Sequence, residues 1–146
     1  MTVATEAIAV PADPPPKEQA SPPRARILVI DDDADVGNAL RLMLAEDHEV
    51  ELFTSARRAL ERLELGERYD AILCDVMMPE MSGIEFHEAL MRDRPALAAQ
   101  VIFLTGGAFT LSARAFLDRV PNPHLDKPFD WKVLRGLIAS QRTRAS

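Results

Sequence analysis

Short apolar runs closed by polar residues recur along this chain. Ile27-Leu28-Val29-Ile30 runs into Asp31-Asp32-Asp33, Tyr69 to Asp75 ends in a carboxylate, and Val101-Ile102-Phe103-Leu104 gives way to Thr105-Gly106-Gly107. Runs of this length, rich in β-branched residues and without alternation, predict strands covered on both faces. Glu49 to Phe53 reads as a further strand, and a very short one is expected around His124-Leu125, between Pro121/Pro123 and Lys127-Pro128. Between the strands the apolar spacing becomes helical. Val36, Leu40 and Met43/Leu44 mark a helix within 33–46. Ala59, Leu60 and Leu63 mark a second, capped by Ser55 and closed by Gly66. Ser82-x-x-Glu85 is a capping-box pattern for a third helix reaching about Arg92, with Pro95 ending that region. A fourth is expected from Leu111 to Arg119. Asp130 can cap a last helix with Trp131, Leu134, Leu137 and Ile138 on one face.

Five alternating strand–helix units imply parallel strands joined by right-handed crossovers with helices on both faces, an α/β doubly wound open sheet. The spacing leaves the strand order open. Residues 1–23 lie outside this pattern. They hold six of the eleven prolines and no aromatic residue, so they are expected to form a disordered Pro/Ala-rich tail. Residues 24–142 then make one domain, and 143–146 a short tail.

Charge and cysteine usage narrow the function. A formal net charge of -6 argues against a nucleic-acid partner and against a polybasic membrane anchor. The single cysteine, Cys74, excludes an intramolecular disulfide and fits a reducing compartment; it reads as a buried core thiol. With no apolar run of membrane-spanning length and no signal-peptide pattern, a cytoplasmic location without membrane contact is expected. Among the remaining candidates, His48 and His87 read as surface residues, Met77, Met78 and Met81 as loop packing, and Arg57, Arg58, Arg62 and Arg68 as a solvated helix face.

In a parallel sheet every strand end points to one rim, where ligands bind. That rim collects Asp31 and Asp32 after the first strand, Asp75 at the third, Thr105 at the fourth and Lys127 at the fifth. Each pair of carboxylates at about 4 Å costs roughly 4 kcal/mol at an effective dielectric of about 20. A bound proton or a cation must offset this. An oxygen-only donor set suits Mg²⁺, and Mg²⁺ suits a phosphoryl ligand. Lys127 supplies a point charge and Thr105 a hydroxyl for phosphoryl oxygens, while Gly106 and Gly107 leave backbone N–H groups free beside them. A carboxylate can attack phosphorus and form an acyl phosphate; Asp75 is the expected nucleophile.

These stretches, with Cys74-Asp75-Val76-Met77-Met78-Pro79-Glu80-Met81-Ser82-Gly83 and Asp126-Lys127-Pro128-Phe129, resemble the receiver domain of two-component response regulators, in order and in spacing, over about residues 25–140. The look is nearest to receivers of hybrid sensor histidine kinases or stand-alone single-domain regulators. The resemblance implies a flavodoxin-like (βα)5 sheet of order 2-1-3-4-5 with Asp75 as phosphoacceptor. Asp32, Asp75 and the Met77 carbonyl would ligate Mg²⁺, and Asp31 would hold it through water. Thr105 and Lys127 would bind the phosphoryl oxygens. The donor would be a phosphohistidine on a histidine kinase or histidine phosphotransferase. Output would pass to an unknown downstream protein, since no output domain follows the last helix; the chain would catalyse only its own phosphorylation and dephosphorylation.

Three positions depart from the family. Its usual aromatic, three residues before the Lys, is His124 here, so the switch pair would be Thr105 and His124. Two residues after Asp75 and Thr105 stand Met77 and Gly107, positions that tune access of water. Two other readings stand beside the receiver. One is a small Mg²⁺-dependent phosphohydrolase of haloacid dehalogenase type, with Asp31 as nucleophile and Asp33 as general acid. The other is an interaction module that is never phosphorylated.

Overall fold

The computed structural model describes residues 24–106 and 110–145. The expected tail over 1–23 and the expectation for Gly107 lie outside them. Among the described residues there are five strands: β1 (Arg26–Ile30), β2 (Glu49–Phe53), β3 (Ala71–Asp75), β4 (Val101–Thr105) and β5 (His124–Asp126). They pair in parallel in the order β2-β1-β3-β4-β5, the 2-1-3-4-5 arrangement. The helices are α1 (Ala34–Leu44), α2 (Ala56–Glu64), α3 (Gly83–Asp93), α4 (Pro95–Ala98), α5 (Leu111–Arg119) and α6 (Trp131–Ala145).

Side chains alternate across each central strand, so the apolar runs feed two cores. Leu28, Ile30, Ile72, Cys74 and Phe103 pack with Ala59 and Leu63 of α2, Phe86 and Leu90 of α3, and Phe116 of α5. Ile27, Val29, Leu73, Ile102 and Leu104 pack with Leu40 and Leu44 of α1 and with Leu134 and Ile138 of α6. Every residue of β3 and β4 is buried, and each aliphatic side chain fully withdrawn from water contributes roughly 1.5–3 kcal/mol. The edge strand β2 differs from the central strands: Glu49 is exposed and the rest is half-buried. Arg62 reaches it, with Glu51 at 3.2 Å and the Phe53 ring 5.6 Å below its guanidinium, so this arginine is not simply solvated.

The caps follow the sequence. Asp33 accepts from the Asp35 and Val36 N–H groups at 3.0 and 3.3 Å. Ser55 accepts from Arg58, and Ser82 with Glu85 forms the reciprocal capping box. Thr110 caps α5 through the Ala113 N–H. Three elements differ from expectation. Pro95 opens the short helix α4 rather than only closing α3, because proline at a first helical position lacks an N–H that has no intrahelical acceptor there. Met43 is more than a third exposed, and Leu44 alone of that pair points inward. The last helix runs to Ala145, so the boundary after residue 142 falls inside it.

Chain direction across the sheet reverses beside β1. β2 lies on one side of it and β3 on the other, which opens a crevice at the carboxyl ends of β1 and β3. The residues just past those ends are Asp31, Asp32 and Asp75.

Candidate functional site

Strand register fixes the site. Ile30 pairs with Cys74 and Asp75 with Leu104, so the ends of β1, β3 and β4 stand level. Asp31 and Asp75 are buried at that rim and Asp32 is exposed. Among the described residues these three offer carboxylate oxygens that all lie within 4.8 Å of one another. Lys127 enters from the far side of the sheet, after β5, through a cis Lys127–Pro128 bond. Its Nζ lies 2.7 Å from Asp31 Oδ2 and 3.9 Å from Asp75 Oδ2. One ammonium therefore faces three carboxylates.

The consequence is written on Asp75. Its carboxyl is raised to about 6: burial pushes it up most, Lys127 pulls it down, Asp31 and Asp32 push it up, and the Met77 backbone N–H lowers it. The remaining negative charge suits a hard divalent cation: the donor set is all oxygen, partly buried, and clustered at ligand spacing. Asp33 stays apart from this cluster, its Oδ1 committed to the α1 cap, and its N–H donates to Asp31 Oδ1 at 2.9 Å. That placement sets Asp33 outside the group formed by Asp31, Asp32 and Asp75.

The loop from Val76 to Ser82 is held tightly. The Gly83 N–H donates to the Val76 carbonyl at 2.9 Å, and the Met81 N–H to that of Pro79 at 2.7 Å. Glu80 between them has φ 67°, a left-handed conformation uncommon outside glycine. The Met77 side chain is about half exposed, whereas Met78 and Met81 pack on the core beneath. Cys74 is buried, its thiol pushed well up by burial, and its Sγ donates to the Asp75 carbonyl at 3.4 Å. It is an inert packing group.

Thr105 ends β4 at 1% exposure. Its hydroxyl does not lie in the Asp75 group: it donates to Asp126 Oδ1 on β5. His124, two residues before Asp126, is exposed and pairs in register with Phe103. Trp131 is half-buried, edge-on to Phe129 at 5.4 Å.

Two residues escaped the sequence reading. Asp126 is one, because its partner depends on how β5 registers on β4. The other is His87, which is not on the surface. It is 5% exposed, its ring 5.6 Å from Phe103 and 5.3 Å from Phe116, and its Nδ1 has no hydrogen-bond partner among the described residues. The helical spacing Gly83–Phe86–His87–Leu90 already placed it on the buried face. Burial lowers its pKa, with Asn122 and Glu88 opposing. The group therefore binds protons more readily unfolded than folded, so its contribution to stability is lost as pH falls below about 6.5. His87→Leu is expected to flatten that part of the stability–pH curve in urea titrations; an unchanged slope would show that the buried imidazole is not responsible. His48 is partly buried too, its Nδ1 accepting from the Ala25 N–H at 3.1 Å.

Comparison with known proteins bears on the whole domain. Residues 27–139 match the family model described as the response regulator receiver domain. A protein-glutamate methylesterase/protein-glutamine glutaminase of Shewanella sp. (strain MR-4) is 33% identical over 119 residues, covering 77% of this chain and 34% of that protein. Response regulator MprA of Mycolicibacterium vanbaalenii is 36% identical over 118 residues, covering 80% and 48%. The chain thus spans between a third and a half of these relatives. Among solved structures, a response regulator receiver domain protein from Clostridium thermocellum superposes with a TM-score of 0.72 at 28% identity, covering 82% of this chain and 95% of that one. A CheY-like receiver domain protein from Methanospirillum hungatei gives 0.69 at 27%, covering 82% and 98%. No helix among the described residues is long and apolar enough to cross a membrane.

Proposed function

The chain belongs to the response regulator receiver family of two-component signalling, and on that premise we propose that Asp75 accepts a phosphoryl group from a phosphohistidine on a histidine kinase or phosphotransferase. The observation that carries this reading is the position of Asp75. It stands at the switch-point end of β3, within 4.8 Å of Asp31 and Asp32 by ligand atoms and 3.9 Å from the Lys127 ammonium.

The chemistry follows from the charges. An Asp75 oxygen attacks phosphorus in line with the scissile P–N bond. The O–P bond forms, the P–N bond breaks, and the imidazole leaves with the electron pair and takes a proton. Asp31, Asp32, Asp75 and the Met77 carbonyl are the groups to hold Mg²⁺, which supplies neutralisation of carboxylate and phosphoryl charge when bound. Lys127 exchanges part of its contact with Asp31 for a phosphoryl oxygen, and Thr105 donates to another. The Gly83–Val76 and Met81–Pro79 hydrogen bonds hold the loop so that Asp75 need not be ordered during the encounter.

The product carries about two further negative charges in a crevice already rich in them. Two states of the domain then differ in their contacts with the phosphoryl group, and the population shifts between them. His124 on β5, with α5 and α6 beside it, is the surface that changes partner preference. The chain carries out only its own phosphorylation and dephosphorylation.

Incubation with acetyl phosphate and Mg²⁺, followed by intact mass spectrometry, should add one phosphoryl group. The increment should vanish when the metal is chelated. A chain that gains nothing from acetyl phosphate, or from any phosphohistidine donor, would instead be an interaction module.

A further inference from the structure

The Thr105 hydroxyl has one hydrogen to donate, and Asp126 already holds it. Thr105 and Asp126 are cross-strand neighbours in register. The Lys127 N–H donates to the Thr105 carbonyl at 2.7 Å, which fixes the two strand ends together. Thr105 Oγ1 donates to Asp126 Oδ1, with the Leu125 carbonyl at 3.5 Å as its other neighbour. Both acceptors belong to β5, whereas Asp75 lies on β3, and β4 runs between them. The hydroxyl is therefore turned to the side of β4 away from the site.

We propose that Asp126 is a positioning residue that sets how readily the domain takes its phosphorylated arrangement, by competing with the phosphoryl group for the Thr105 hydroxyl. This rests on the reading of Asp75 as acceptor. A carboxylate and a phosphoryl oxygen are both acceptors at neutral pH, and a hydroxyl offers a single donor. The two contacts are mutually exclusive. While Asp126 holds the proton, the fraction of molecules able to close on a phosphoryl group is reduced, and apparent affinity falls by the same fraction. Asp126 is exposed, so its carboxylate returns to water when released and leaves no buried charge behind. The same exposure means that its removal does not endanger the fold.

The test is titration of the full chain with beryllofluoride, a phosphoryl mimic, in saturating Mg²⁺, read by NMR. Asp126→Ala should lower the half-saturating concentration roughly fivefold, the scale of one net hydrogen bond, with Asp126→Asn lowering it less. Thr105→Val should raise it. In the Thr105→Val background, Asp126→Ala should have no further effect, because its path to the site runs through that hydroxyl. A gain of the same size in that background would show that only the removed charge matters, and would overturn the proposal. So would an unchanged midpoint in Asp126→Ala. Wild-type chain that takes up no beryllofluoride at all would overturn the reading of Asp75 itself, a result distinct from either.

Discussion

Asp75→Asn should stabilise the folded chain by roughly 1–3 kcal/mol near neutral pH while removing its ability to accept a phosphoryl group. The carboxyl is raised in the folded state from 3.8 to about 6, chiefly by burial. A raised acid binds more protons folded than unfolded. Its penalty is therefore absent below 3.8, grows as pH rises through the window to about 6, and is complete above it. That displacement, which already includes the opposing pull of Lys127 and the Met77 N–H, corresponds to a ceiling of roughly 3 kcal/mol, and imperfect fit of the amide in the carboxylate's place sets the lower bound. Asparagine keeps the shape and drops the charge. Urea unfolding of both proteins at neutral pH and near pH 3.8 is the measurement: the gain should appear at the first and disappear at the second. Mg²⁺ should raise wild-type stability more than that of the variant, since the cation relieves a repulsion the variant lacks. Equal stability of the two proteins at neutral pH would mean that the crowded carboxylate carries no strain.

Gly83→Ala should cost roughly 2–4 kcal/mol and weaken Mg²⁺ binding as well. Gly83 is the first residue of α3, and a Cβ there would run into the Asp75 carbonyl oxygen, with Val76 Cα at 3.0 Å and the Asp75 carbonyl carbon at 3.2 Å. These are backbone atoms of the strand end that carries Asp75, so nothing nearby can rotate away. Either α3 or the end of β3 must shift. Gly136 is the control: in α6 a Cβ would meet nothing within 4 Å, so Gly136→Ala should stabilise by roughly 0.5–1 kcal/mol through helix propensity. Paired denaturation curves and Mg²⁺ titrations check both. If Gly83→Ala proved as benign as Gly136→Ala, the contact between α3 and the strand end would be looser than the geometry describes.

Much of this architecture was legible in the chain because its signals are local. The apolar runs at 27–30 and 101–104 became β1 and β4, and Leu111–Arg119 became α5 with the bounds its spacing implied. Ser82 and Glu85 capped α3 as their pattern required. The order 2-1-3-4-5 was not local, and only the resemblance supplied it. The departures share one cause, which is that side-chain partners depend on tertiary context. His87 has polar neighbours at Glu85 and Glu88, yet its helical position turns it between Phe103 and Phe116. Pro95 reads as a stop signal, yet the chain turns there into α4. The Thr105–Asp126 contact joins residues 21 apart in sequence through a strand only three residues long, whose register no motif announces. The acidic cluster is the opposite case. Its members each follow an apolar run, so parallel strands bring Asp31, Asp32 and Asp75 together whatever else the chain does.

Asp75, and not Asp31, is the carboxylate expected to become the acyl phosphate. Both are buried carboxylates at the same rim, but Asp31 is held by the Lys127 ammonium at 2.7 Å and by the Asp33 N–H at 2.9 Å, whereas Asp75 stands farther from that ammonium. Reductive trapping with borohydride after loading by acetyl phosphate and Mg²⁺, with the modified residue located by tandem mass spectrometry, separates the two. The label is expected on Asp75, in the stretch that runs Leu73-Cys74-Asp75-Val76. A label on Asp31 would contradict the receiver chemistry assigned to this site.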